Sequence, residues 1–550
     1  MKNITISIWR PSIVGTALIL SIPILTIAIS VFEPPGENWQ HLKDTVLKEY
    51  IVNSMLLTCG VGIGTLLIGV STAWLTAMCS FPGKNLFVWL LLLPLAMPAY
   101  IVAYTYTGMF DFAGPVQTMI RDWTGWRYRD YYFPQIRSMG GAITMLSLVL
   151  YPYVYLLGRS TFLEQSVGVM EVSRTLDCGP WTVFYKVALP LARPAIVAGL
   201  SLALMETLAD YGTVAFFGLG VFTTGIFRTW FGLGDYNSAA KLASLLLFFV
   251  FALIIMERVS RNKARYHNSS GKLTRFSEYR LKGLKAWGAF ASCAIPVFLG
   301  FFLPAAQLFL WALETWSEMV DDRFFELARN SFLLGFGAAL ISVILALFLG
   351  YGKRIIPGKA TIASIRMASI GYAIPGTVVA VGIIIPFAWI DGRIDTFMQS
   401  SFGISSGLIF SGTLIAVMFA YVVRFLAISL QTVESGLEKI KPSMDDAARS
   451  LGCRHRETLF KIHIPLLKSS TLTALMIVFV DVMKELPATL ILRPFDFNTL
   501  AVRAFELASD ERLADSSTAA LTIVVVGLLP VIYLSKTISH SRLDQGNTKI

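Results

Sequence analysis

Four acidic residues stand inside otherwise apolar runs, in two pairs of equal spacing: Glu206 with Asp210, and Asp481 with Glu485. Residues four apart share one face of a helix, so each pair is expected to point two carboxylates the same way. Counted from Ala195 at about 1.5 Å per residue, Glu206 lies roughly 17 Å into its run and Asp210 lies farther along. A carboxylate at that depth costs about 2.5–3.5 kcal/mol on insertion scales, so it must face water or a partner. Three readings follow. The four acids line a polar path and offer hard oxygen ligands to a hard cation, with Tyr211 adding a phenolate oxygen. Alternatively they pair with Lys484, Arg424 or backbone groups and hold the halves together. In the third reading, residues 206–213 fall beyond the end of the run, in a loop. A tight cation site would trap its ion, so a path calls for few ligands and no closed coordination sphere.

The elements that position these acids are membrane spans. Hydrophobic residues make up 55% of the 550-residue chain and charged residues 15%, against about 25% charged in soluble domains. Runs long enough to cross about 30 Å as helices fall near 12–32, 51–79, 86–108, 140–163, 195–219, 238–257, 286–312, 330–351, 368–390, 407–431, 471–492 and 517–535. The first lacks a small-residue cleavage site and reads as an uncleaved span. With the N-terminus inside, 29 Lys and Arg fall in inside segments and 13 in outside loops. That bias places both ends in the cytoplasm. It also accounts for the +11 charge: the basic run from Arg258 to Lys285 sits between two spans and has no aromatic platform for nucleic acid. Five scattered cysteines without a CxxC argue against a disulfide scaffold or a zinc site. All five histidines lie outside the apolar runs, where a haem enzyme would want them inside.

The chain repeats. Slid along itself by one constant offset, it brings Glu171 onto Asp446, Arg174 onto Arg449, Cys178 onto Cys453, Pro190 onto Pro465, Glu206 onto Asp481 and Asp210 onto Glu485. With a two-residue slip, Asn53-Ser54 falls on Asn330-Ser331 and Pro98 on Pro375. Six spans separate each pair, so the halves share one orientation and a pseudo-two-fold along the membrane normal, the geometry of a central path.

Two loops carry the remaining signal. The first runs from Glu171-Val-Ser-Arg-Thr-Leu-Asp177 through Gly179 to Pro190, and the second from Asp446-Ala-Ala-Arg-Ser-Leu-Gly452 to Ile464-Pro465. Each reads as a short amphipathic helix, a tight turn and a segment leading into a span. In the second, Ser443-x-x-Asp446 is expected to form a capping box, Gly452 to stop the helix in the left-handed conformation, and Pro465 to occupy the first turn of the eleventh span. One such helix per half, across the inner mouth, is a handle.

This pattern resembles the acidic-Ala-Ala…Gly…Ile-x-Leu-Pro loop of ABC importer permeases. Asp446, Ala447, Ala448, Gly452, Ile462 and Pro465 match, with Ile464 in place of Leu. The first copy departs: Val172-Ser173 replaces Ala-Ala, and Asp177 stands where glycine belongs. The resemblance implies an all-α polytopic fold of type I, with two parallel six-helix repeats. The modules are expected at 1–260 and 286–550, joined by a basic linker at 261–285, with coupling loops near 165–194 and 432–470. It implies coupling roles for Glu171, Arg174, Asp177, Gly179, Pro190, Asp446, Ala447, Ala448, Arg449, Gly452 and Pro465. A binding protein in the periplasm, two copies of a cytoplasmic ATPase and the lipid of a bacterial inner membrane are the implied partners, with no nucleic acid. No Walker A loop is present, so the chain is expected to be no enzyme and to hold no cofactor, with ATP and Mg²⁺ used by the ATPase.

The finer likeness is to fused ferric-iron permeases. It rests on Glu206-Thr-Leu-Ala-Asp210-Tyr211-Gly-Thr-Val214, Asp481-Val-Met-Lys484-Glu485-Leu-Pro487 and Arg503-x-x-Glu506. It implies Fe(III) as substrate, passing between the modules with transient contacts at Glu206, Asp210, Asp481 and Glu485. Thiamine, aminophosphonate or polyamine import on the same architecture is the alternative. An ion-coupled secondary transporter is the alternative of another class.

Overall fold

The computed structural model describes residues 2–127, 130–164, 179–262 and 278–544. Twelve principal helices follow in chain order: α1 (Lys2–Ser30), α2 (Leu47–Met78), α3 (Ala99–Phe110), α4 (Met139–Glu164), α5 (Leu189–Ala209), α6 (Tyr236–Asn262), α7 (Leu284–Met319), α8 (Asp322–Ile355), α9 (Gly376–Phe402), α10 (Leu414–Glu438), α11 (Lys468–Met483) and α12 (Leu513–Asp544). Among the described residues ten helices are long and apolar enough to cross a membrane, and the number reaches twelve when each of two bent pairs counts as one span.

The bent pairs correct the sequence reading. The expected run 86–108 is not one helix: Lys84–Ala96 and Ala99–Thr124 meet at 90°. Proline disfavours helical backbone at the residue before it. Met97 is accordingly extended (φ −106°, ψ 117°), and Pro98 caps α3. The second half repeats the device in register. The 3₁₀ turns Leu93–Ala96 and Ile370–Ala373 coincide at the slipped offset that pairs Pro98 with Pro375, and those two prolines take the same cap conformation. Two π-helical turns, Phe184–Ala188 and Leu459–His463, coincide at the offset that pairs Pro190 with Pro465.

The chain resolves into two compact units that cut across the expected modules. One comprises residues 1–40, 225–247 and 320–503; the other comprises 41–224, 248–319 and 504–550.

In the first unit α8 packs on α10 and α11, while α1 lies along α9. Gly382 makes that last approach possible, because a Cβ there would stand 2.3 Å from the Pro23 carbonyl oxygen. Ser244 Oγ donates to Ile27 O (2.8 Å) and fastens the start of α6 to the same α1. The N-terminal span α1 thus completes the bundle built by the second half.

In the second unit α2 packs along α4, with α5 against both. Gly60 and Gly64 form a small-xxx-small face, and a Cβ on either would meet Ile143 or Ser147 within 2.5 Å. Such faces let helices approach closely where lipid offers no hydrophobic drive. Here α7 packs on α12, and a parallel bridge joins Cys79-Ser80 to Tyr279-Arg280.

The Asn-Ser pairs do the same work in each unit. Asn53 Nδ2 donates to Gly220 O (2.9 Å), and Ser54 Oγ accepts from Phe222 N (3.3 Å). Asn330 Nδ2 donates to Asn498 O (3.3 Å), and Ser331 Oγ accepts from Leu500 N (2.8 Å). Each pair secures an irregular backbone segment that would otherwise bury unsatisfied groups.

Candidate functional site

The intramembrane acids do not share helix faces. The fifth span stops at Ala209 and the eleventh at Met483, short of the expected limits at 219 and 492. Asp210 is the extended C-cap residue (φ −66°, ψ 131°). Its carboxylate turns forward and accepts from Thr213 N (3.1 Å), Val214 N (3.2 Å) and Thr213 Oγ1 (3.0 Å), capping the short helix Gly212–Phe216. Glu485 follows the Lys484 cap and does likewise. It accepts from Ala488 N (3.1 Å), Thr489 N (3.2 Å) and Thr489 Oγ1 (2.9 Å) at the start of Pro487–Leu492. Apolar run length could not show these breaks, because each carboxylate satisfies the backbone groups that the break exposes.

Charge is balanced locally. Arg424 on α10 forms an ion pair with Glu485, and both side chains are buried. Tyr421 OH shares a 2.6 Å hydrogen bond with Thr489 Oγ1. Lys484 pairs with Asp481 (2.8 Å). Glu485 thus has Arg424 and backbone N–H groups as partners, and Asp210 has backbone N–H groups and Thr213. Glu206 and Asp481 stay on α5 and α11, each partly exposed. Tyr211 is buried, its ring 5.8 Å from that of Phe505. Among the described residues no three His, Cys, Asp or Glu side chains gather closely enough to hold a metal ion.

The first loop is seen in part. Glu171, Arg174 and Asp177 lie outside the described residues. Gly179 is exposed, and its carbonyl accepts from Val183 N (3.1 Å). Pro190 follows the π turn Phe184–Ala188, within the continuous helix Trp181–Ala209. Behind it Trp74 packs on Phe184 and Phe162, ring centroids 4.9 and 5.5 Å away.

The second loop is complete. Its helix spans Pro442–Ser450. The expected capping box does not form: Lys441 is the N-cap residue and Pro442 the first helical one, so Ser443 is already inside. Asp446 instead pairs with Arg449, both exposed. The C-terminus is as expected. Gly452 is left-handed (φ +82°), Cys453 N donates to Ala448 O (3.0 Å) and Gly452 N to Arg449 O (3.0 Å). These two bonds are a Schellman stop. Ala448 is buried and Ala447 exposed, while Leu451 projects at 84% exposure. Pro465 occupies a separate short helix, Ile464–Leu466, and the chain bends by 74° before α11.

Sequence reasoning missed the acid that holds this helix in place. Asp445 Oδ2 accepts from Arg354 Nε (2.7 Å), and its Oδ1 accepts from His463 Nε2 (2.6 Å). Arg354 also donates from Nη1 to Leu437 O (2.7 Å) and from Nη2 to Ile440 O (2.8 Å), closing the end of α10. The signal was the doubled Asp445-Asp446, of which only the second fits the family spacing.

Comparison with known proteins bears on both halves. The family described as binding-protein-dependent transport system inner membrane component matches residues 65–265 and again 338–545. The Fe(3+)-transport system permease protein FbpB 2 of Haemophilus influenzae is 26% identical over 500 residues, covering 89% of this chain and 90% of that protein. The ferric transport system permease protein FbpB of Actinobacillus pleuropneumoniae is 23% identical over 564 residues, covering 96% and 77%. A putative 2-aminoethylphosphonate transport system permease protein, PhnV of Salmonella typhimurium, is 27% identical over 278 residues, 48% of this chain and 97% of its own.

Proposed function

This chain belongs to the family of binding-protein-dependent transport system inner membrane components, and from that premise we propose that it is the permease subunit of an ABC importer for ferric iron. It is a multi-pass inner membrane protein, and the family supplies it with a binding-protein partner. Fe(III) is the favoured cargo because ferric permeases align along 86–96% of the chain, whereas the aminophosphonate permease aligns with 48%.

The observation that carries the reading is the Schellman-stopped helix Pro442–Ser450 within the doubled family match. Its exposed side carries Asp446, Ala447, Arg449 and Leu451. A compact charged pair beside a protruding leucine suits docking into a groove of a cytoplasmic ATPase. Glu171, Arg174, Asp177 and Gly179 would serve a second ATPase copy in the first half. Both termini then lie in the cytoplasm, the chain itself hydrolyses nothing, and ATP with Mg²⁺ belongs to the partner. Glu206 and Asp481, partly exposed on their helices, contact the passing cation weakly, as release from a path requires.

The test is co-purification and uptake. An ATPase subunit should accompany the chain out of the membrane, and cells carrying Asp446→Lys should lose radio-iron uptake at normal protein level. Retention of uptake, or the absence of any bound ATPase, overturns the proposal.

A further inference from the structure

We propose that His463 and Asp445 form a polar linchpin that transmits motion of the second coupling helix to the membrane spans; the residues that form it are not repeated in the first half of the sequence. This rests on the importer reading above and adds a positioning role that the docking residues do not have.

The geometry is specific. Asp445 uses one carboxylate oxygen for Arg354 at the end of α8 and the other for His463 on the π turn that leads to α11. His463 is fully buried, and its ring lies 5.1 Å from that of Tyr351 on α8. Tyr351 OH donates to His455 O (2.8 Å), and Lys353 pairs with Glu434 on α10 (2.9 Å). One carboxylate thus joins the docking helix to α8, to α10 through Arg354, and to the segment before α11. Charge-assisted bonds of this kind are directional as well as strong. A displacement of the Pro442–Ser450 helix cannot be absorbed by sliding, as it could across a greasy contact.

At the repeat offsets, Asp445 corresponds to Met170, His463 to Ala188, Arg354 to Ala77 and Tyr351 to Trp74. Trp74, at the position of Tyr351, packs on Phe162 and Phe184.

The experiment uses the full complex with its ATPase and binding protein in proteoliposomes, measuring iron taken up per ATP hydrolysed. His463→Leu keeps the volume and removes the bond; His463→Gln keeps a donor. We expect His463→Leu to lower uptake per ATP by about fivefold or more, the lower range of coupling between sites, with basal hydrolysis within about twofold of wild type. His463→Gln should restore most of the ratio. A merely structural role lowers both activities in proportion to assembled protein and leaves the ratio unchanged, which overturns the linchpin. So does a Gln variant as uncoupled as the Leu variant. If His463→Leu does not assemble, Asp445→Asn gives the same readout. A wild-type complex without ATP-dependent uptake overturns the importer reading itself.

Discussion

Glu485 does in the second half what Asp210 does in the first: each carboxylate ends a membrane span and caps the short helix that follows it. The reach differs by one methylene. Asp210 takes the hydroxyl of the third residue on, Thr213, and Glu485 that of the fourth, Thr489. Among the described residues, Glu485 alone of the two has a buried cation beside it.

That difference predicts unequal costs. Glu485→Gln strands the Arg424 charge in a buried site, and breaking a buried pair costs about 3–5 kcal/mol. Asp210→Asn keeps an acceptor for the cap and should cost no more than about 1 kcal/mol. Thermal unfolding of the purified protein should show a large drop for the first and a small one for the second. Adding Arg424→Met to Glu485→Gln should recover most of the loss; no recovery would exclude the stranded charge as the cause.

Gly452 gives a cleaner backbone test. Nothing lies within 4 Å of a Cβ built there, so strain at φ +82° is the only penalty. Gly452→Ala should cost about 1–2 kcal/mol at the helix stop, fray the last turn and weaken ATPase co-purification. Gly452→Asn, which tolerates the left-handed region, should retain more of it. Equal loss in both variants would count against a conformational role.

Ser331 and Ser54 are matched probes of the repeat. Ser331→Ala removes the acceptor of Leu500 N, and Ser54→Ala that of Phe222 N. A buried donor left unsatisfied costs about 1–3 kcal/mol. Both variants should lower the unfolding temperature by similar amounts. An unchanged temperature for either would show that its backbone donor finds another partner.

Asp235 should make stability fall in acid. Burial alone would raise its pKa. The hydrogen bonds from Ser238 N, Ser238 Oγ, Asn38 N and Asn38 Nδ2 outweigh burial and hold it below the usual carboxylate value. A depressed folded pKa means the contribution is fully present above the unfolded value of about 3.9. It is lost as pH falls through the folded value. Asp235→Asn should lower the melting temperature at neutral pH and flatten the acid limb, so that the two proteins converge at low pH. An identical acid limb in the variant would remove Asp235 as its source.

Much of this architecture was legible in the residues. The offset that pairs Pro190 with Pro465 also pairs the two π turns, and the slip that pairs Pro98 with Pro375 also pairs the 3₁₀ turns before them. Gly452 stopped its helix because few other residues take that backbone cheaply. The breaks at Asp210 and Lys484 were hidden, since hydropathy averages across a break whose polar groups are capped nearby. Asp445 was hidden because its partners, Arg354 and His463, lie far away in sequence. Packing of α1 on α9 leaves no periodic trace at all.

That packing sets an order of events for synthesis. Pro23 touches Gly382, which follows it by well over half the chain. At about 5–20 residues per second, the first helix leaves the ribosome roughly 20–70 seconds before its docking surface exists. It must wait in the bilayer, its exposed Leu18, Ile19 and Ile29 against lipid or an insertion chaperone. A break in the chain between the two halves would turn that wait into a search for a separate molecule.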